Sequence, residues 1–192
     1  MTMWEWRMFY SESQEPQWVS SIIKMLHDTP VEERSDLYYN LRSPELGMKI
    51  RAYSERDQLL ELKFLLDTKK SLEYWEKPIK QAIQIIESES LLDNIVVSLE
   101  SSARHVIQTE KILEILHSGD FNEIEITKYR KKTSVNNISI ESVVIEYQNT
   151  KLMGVQLECH SPTLLSQFMQ KTLAIPIRNF SNVSYPRFIM GL

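Results

Sequence analysis

The sequence predicts an antiparallel α+β protein or a β-barrel of about eight strands, with helices beside it. Two blocks of strand-like runs are separated by a stretch of helical spacing. Along the strands, charged residues recur two apart. Bulky apolar residues occupy the alternate positions. Successive side chains of a strand point to opposite faces, so each such strand has one charged and one apolar face.

The elements follow in order. Residues 3–9, rich in aromatics, read as a strand. Pro16 opens a helix in which Val19, Ile22, Ile23 and Leu26 share a face, and Pro30 ends it. Strand-like runs then cover 34–41, 48–53, 58–67 and 72–77, joined through Ser43-Pro44, Gly47 and a polar turn at 54–57. From 79 to 117 the spacing is helical, including an apparent insertion at about 85–108, and Gly119 is placed as a helix stop. Runs 123–134, 138–148 and 152–160 are strands, with turns at Asn136-Asn137 and Asn149-Thr150. Ser161-Pro162 caps a final helix with Leu164, Leu165, Phe168, Met169 and Leu173 on its apolar face. Residues 175–192 hold two prolines and little periodicity, and are expected as an extended wrap. With no repeat or linker, 1–192 is expected to be a single domain.

Composition narrows the chemistry. Only four glycines are present and neither GxxxxGK[ST] nor GxGxxG occurs, so phosphate must be held by side-chain cations rather than a backbone cradle. A net charge of −4 argues against a general nucleic-acid binder while leaving room for a local basic pocket, and no sequence-specific nucleic-acid partner is expected. Cys159 is the only cysteine, which excludes an internal disulfide and a thiolate zinc site; it is expected as a buried thiol. His27, His105, His117 and His160 lack metal-ligand spacing. Trp4, Trp6 and Trp18 are expected in the core. No apolar run is long enough to span a bilayer and the start lacks a signal-peptide pattern, so a cytoplasmic protein without membrane contact is expected.

The paired charges are Glu5 with Arg7, Lys49 with Arg51, Glu61 with Lys63, Lys128 with Arg130 and Lys132, and Gln156 with Glu158. A solvated sheet face would show the same alternation. Against this, the opposite faces carry Trp4, Trp6, Ile50, Leu60, Leu62, Tyr129 and Leu157. If those faces pack under helices, the charges point into a lumen. Such a lumen costs free energy unless a polyanion, with a metal, occupies it.

In this order the motifs resemble the triphosphate tunnel metalloenzyme (CYTH) superfamily, an eight-stranded antiparallel barrel with flanking helices. The matching segments are Met3-Trp4-Glu5-Trp6-Arg7, Asp36-Leu37-Tyr38-Tyr39, Met48-Lys49-Ile50-Arg51, Glu61-Leu62-Lys63, Lys128-Tyr129-Arg130, Ile145-Glu146 and Gln156-Leu157-Glu158. The resemblance covers roughly residues 3–170. It implies that Lys49, Arg51, Lys63 and Arg130, with Lys128 and Arg7, bind phosphates. It implies that Glu5, Glu146 and Glu158 hold Mg²⁺ or Mn²⁺ at one site. The implied activity is metal-dependent hydrolysis of a linear triphosphate: tripolyphosphate, thiamine triphosphate, a nucleoside triphosphate or an RNA 5′-triphosphate end. Met3 stands where the family has its first glutamate, Gln156 where E-x-E begins, and Arg7 where a lysine is usual. These departures weaken the metal-binding half and leave little for a second metal. Two alternatives follow: a phosphate- or nucleotide-binding module with a decayed metal site, and an adenylyl cyclase of the family's cyclase branch.

Overall fold

The structure is a computed structural model that describes residues 2–52, 58–77, 80–83, 106–119, 121–175 and 183–191. Its strands are β1 (Thr2–Tyr10), β2 (Glu32–Asn40), β3 (Leu46–Ala52), β4 (Gln58–Lys69), β5 (Leu72–Glu76), β6 (Lys80–Ile83), β7 (Asn122–Val135), β8 (Ile138–Tyr147) and β9 (Thr150–Cys159). Its helices are α1 (Val19–Met25), α2 (Val106–Ser118), α3 (Pro162–Lys171) and α4 (Tyr185–Met190).

Strand neighbours run β3-β2-β7-β8-β9-β1-β5-β4, and β3 pairs back onto β4 to close an eight-stranded antiparallel barrel. The ninth strand, β6, lies along Gln58–Glu61 of β4, continuing the line of β5, which pairs with Phe64–Lys69. Closure removes the exposed edges that an open sheet would leave.

The outward faces carry the apolar residues and are covered as the alternation requires. Trp6, Ile138, Ile140, Val155 and Leu157 pack beneath α1 and α3, contacting Ile22, Leu165 and Met169. Met48, Ile50, Leu60 and Leu62 pack beneath Ile112 and Leu116 of α2. Ser161 caps α3, its Oγ accepting from the Leu164 N–H at 3.2 Å. The β7–β8 hairpin turns on Asn136 and Asn137, both at positive φ, as a two-residue primed turn needs. Gly119, at φ +70°, ends α2.

A third apolar cluster lies inside the barrel at one end. There Tyr38, Ile124, Ile126, Val143 and Ile145 meet Tyr185 of α4. The Val183 N–H donates to the Arg7 carbonyl at 3.1 Å, anchoring the start of this plug to β1. Gly154 makes room for it: a Cβ there would stand 2.8 Å from the Phe9 ring. Phe9 in turn packs on Tyr185 and Phe188. The lumen is therefore closed at the plug.

Three expectations need correction. Residues 80–83, read as helical, pair as a strand, because a short run with Ile at its end fits either period and β4 offers an edge. Residues 185–190, expected as extended, form α4, held by ring stacking and cation–π contacts rather than by a periodic apolar face. The turn between β8 and β9 is Gln148-Asn149, one residue earlier than expected, with Gln148 at φ +51°. Most of the expected insertion, residues 85–105, lies outside the described residues.

Candidate functional site

Strand register stacks charge inside the barrel. Across β2 and β3, Asp36 faces Arg51; across β3 and β4, Lys49 faces Glu61; across β7 and β8, Lys132 faces Glu141. Arg34 faces Lys128 across β2 and β7, and Glu5 faces Glu158 across β1 and β9. These last two are like-charge neighbours, unfavourable unless an opposite charge comes between them.

Asp36 supplies that charge for the basic side. Fully buried, it lies 2.7 Å from Lys128 Nζ, 3.0 Å from Lys49 Nζ, 3.3 Å from Arg34 Nη2 and 3.7 Å from Arg51 Nε. Burial pushes the Asp36 carboxyl up, but Lys49, Lys128 and Arg34 more than offset this and hold it well below the usual range. Lys128 is also fully buried. Its ammonium donates to Tyr38 and sits over the Tyr185 ring at 3.8 Å, and burial lowers its pKa well below that of a free lysine against the pull of Asp36. Glu61 bridges Lys49 and Arg51 at 3.1 and 3.0 Å. Arg130 Nη2 donates to both Glu32 oxygens at 2.7 and 2.8 Å, and its Nη1 donates to Glu141 at 3.2 Å.

The acidic side is built around Glu5, which is 2% exposed. Lys63 bonds Glu5 Oε2, and Lys77 Nζ lies 3.2 Å from Glu5 Oε1 and 3.0 Å from Glu158 Oε1. Burial opposes the charge on Lys77, but Glu5 and Glu158 raise its pKa above that of a free lysine. Gln156 donates to Glu158 at 2.6 Å and accepts from Arg7.

A cavity of about 430 Å³ runs between these groups, lined by Arg7, Arg34, Lys49, Arg51, Lys63, Lys77, Arg130 and Lys132 together with Glu61, Glu141, Gln156 and Glu158. Cations outnumber carboxylates on this wall, although the whole chain is acidic. Among the described residues the Arg34 side chain, 6% exposed, makes no hydrogen bond through Nε or Nη1, and Nη1 lies 3.9 Å from Glu32 Oε1. Two buried guanidinium donors in a cationic cavity call for acceptor oxygens.

Of the phosphate-binding residues expected from sequence, Lys49, Arg51, Lys63, Arg130 and Arg7 line this cavity. Lys128 faces the lumen but is sealed under Asp36, Tyr38 and Tyr185, away from the cavity wall. Of the expected metal ligands, Glu5 and Glu158 come together. Glu146 does not: it is on the outer face, 44% exposed, beside Lys151. The β8 carboxylate that enters the lumen is Glu141, five residues earlier and so on the opposite face. Arg34, Glu73, Lys77 and Glu141 were missed, although each sits in an i, i+2 series: Arg34/Asp36/Tyr38, Glu73/Trp75/Lys77 and Ser139/Glu141/Val143.

The donors present do not fit a divalent metal. Glu5 and Glu158 are each held by ammonium groups, Gln156 is engaged at both ends, and Met3 offers only a thioether. Among the described residues no group of three His, Cys, Asp or Glu side chains could hold an ion, and no helix is long and apolar enough to cross a membrane.

No protein-family model matches the sequence, and no curated protein matches it. Solved structures do share its fold. A candidate adenylate cyclase of Bacillus halodurans aligns with TM-score 0.56 at 16% identity, covering 94% of this chain and 91% of that one. A candidate adenylyl cyclase of Hippeastrum, described as having a dominant triphosphatase activity, aligns with TM-score 0.55 at 17% identity, covering 96% and 91%. A conserved hypothetical protein of Pyrococcus furiosus aligns with TM-score 0.52 at 16% identity, covering 98% and 99%.

Proposed function

We propose that this chain, which has the triphosphate-tunnel fold, binds a linear triphosphate in its lumen through side-chain cations. The observation that carries this is the convergence of Arg34, Lys49, Arg51, Lys63 and Arg130 on one cavity, where, among the described residues, Arg34 pairs with Asp36 through Nη2 while its buried Nε and Nη1 make no hydrogen bond. Guanidinium forks and lysine point charges match phosphate oxygens, and a chain of three phosphates spreads its charge along a groove as these cations do. Inorganic tripolyphosphate, a nucleoside triphosphate and an RNA 5′-triphosphate end share this chemistry. The test is calorimetry with orthophosphate, pyrophosphate and tripolyphosphate. One saturable site whose affinity rises with chain length is expected; equal, weak binding of all three would contradict the reading.

A second reading, hydrolysis of the bound triphosphate, is favoured by the carboxylates Glu5, Glu141 and Glu158 retained within this cationic lumen. Release of orthophosphate or pyrophosphate from tripolyphosphate assigns that activity. Tight binding without release assigns a binding module.

Binding should also depend on pH. Burial lowers the Lys63 ammonium to about 8; Glu5 opposes this, while Lys77 and Arg7 add repulsion. From β5, the Trp75 ring faces Lys63 at 4.4 Å. A polyanion favours the protonated form, so affinity is fully present below pH 8 and falls as pH rises through it, by up to about tenfold per pH unit. Lys63→Arg, whose guanidinium does not titrate here, should flatten that limb relative to the parent. Identical profiles for the two proteins between pH 7 and 10 would remove Lys63 from the site.

A further inference from the structure

We propose that Lys77 takes the place of a divalent cation in this barrel, so that polyphosphate binding in the lumen requires no metal ion; this rests on the function proposed above. Glu5 and Glu158 are cross-strand neighbours on the inner face and both are nearly buried. Two adjacent carboxylates out of water repel and lose hydration, and are stable only with a cation between them. That cation is a lysine from β5's end. Lys77 Nζ contacts both, as an ion pair with Glu5 Oε1 at 3.2 Å and a hydrogen bond to Glu158 Oε1 at 3.0 Å. The other two oxygens are also claimed: Lys63 bonds Glu5 Oε2, and Lys132 lies 3.6 Å from Glu158 Oε2.

The surroundings agree with an ammonium and disagree with a hard dication. Mg²⁺ needs near-octahedral oxygen ligation, and Mn²⁺ prefers carboxylate and water oxygens. The adjoining positions offer the Met3 thioether and the Gln156 amide. The amide oxygen already accepts from Arg7, while its nitrogen is turned toward Glu158. A tethered ammonium, with three donors and a single charge, fits two carboxylates. The alternation Glu73/Trp75/Lys77 aims this lysine inward, and Lys77 lines the cavity.

Two measurements decide it. Ligand-free wild type titrated with Mn²⁺ and followed by electron paramagnetic resonance should leave the ion free. Lys77→Ala exposes the Glu5–Glu158 pair and should take up Mn²⁺. Lys77→Arg, which keeps the charge, should leave it free like the parent. In calorimetry with EDTA present, wild type should bind tripolyphosphate at least as tightly as with Mg²⁺, since Mg²⁺ competes for the free polyanion. Lys77→Ala should lose about tenfold or more in EDTA. Mn²⁺ uptake by wild type, or tripolyphosphate binding that requires Mg²⁺, would overturn the replacement while leaving lumen binding intact. If tripolyphosphate binds under neither condition, the proposed function fails, and the resonance experiment alone still decides the role of Lys77.

Discussion

Asp36→Ala should lower the stability of the ligand-free protein by about 3–5 kcal/mol, the cost of breaking a buried ion pair from one side. Among the described residues Asp36 is the one carboxylate within 4 Å of Lys49, Lys128, Arg34 and Arg51 together, and it has no exposure to water. Removing it leaves those cations facing each other in a low-dielectric space. For a chain of this size the loss corresponds to a fall in Tm of roughly 6–20 °C. The sign with pH follows from its depressed pKa: the contribution of Asp36 is present above its unfolded pKa of about 3.9 and is lost as pH falls through the folded value. Between pH 7 and 4 the variant should therefore remain less stable by a near-constant amount. Tripolyphosphate should raise the Tm of Asp36→Ala more than that of the parent, because the ligand supplies the missing negative charge. A melting point within about 2 °C of wild type would show that Asp36 does not hold the basic cluster together.

Arg34→Ala and Arg51→Ala should act in the opposite sense on stability and strongly on binding. Each removes a guanidinium from the cavity wall, and a lost charge-assisted contact weakens tripolyphosphate binding by about 1.5–3 kcal/mol, roughly 10- to 150-fold. Arg34 is the stronger test, because among the described residues its Nε and Nη1 make no hydrogen bond, Nη1 reaching only to Glu32 at 3.9 Å. Relief of cation–cation repulsion around Asp36 should leave the ligand-free Tm unchanged or slightly raised. The two residues share Asp36 at 3.3 and 3.7 Å, so their effects should not add. Circular dichroism separates folding from binding, and calorimetry gives the affinity. Unchanged affinity in both variants would take the basic cluster out of the site.

The barrel and its charged interior were legible because period-2 alternation persists along β1, β3, β4, β7 and β9. Trp6, Ile50, Leu60, Leu62 and Leu157 all point outward to helices, and their neighbours point in. What the alternation could not convey is that the lumen changes character along its length. On β8 the inward series runs Ser139, Glu141, Val143, Ile145: polar near the cavity, apolar at the plug. The inward face therefore resembles an outward one over its last turns, and Glu146 beyond it was placed inside by motif order when its parity puts it outside. The plug was hidden for another reason. Six residues are too few to show helical periodicity, and Tyr185 is held by Arg7 at 4.1 Å and Lys128 at 3.8 Å, partners far away in sequence. Lys77 was overlooked because one lysine at a strand end looks like a solvated terminus. Its meaning appears only when β1 and β9 bring Glu5 and Glu158 side by side.

The most direct measurement is a crystal structure of the protein grown with tripolyphosphate. A phosphate chain should lie inside the barrel, its oxygens within hydrogen-bond distance of Arg34 Nε or Nη1 and of Arg51 and Lys63. No metal should bridge Glu5 and Glu158, and Lys77 should remain between them. Tripolyphosphate bound only on the outer face, with Arg34 and Lys63 unchanged and the lumen holding solvent at saturating ligand, would contradict it.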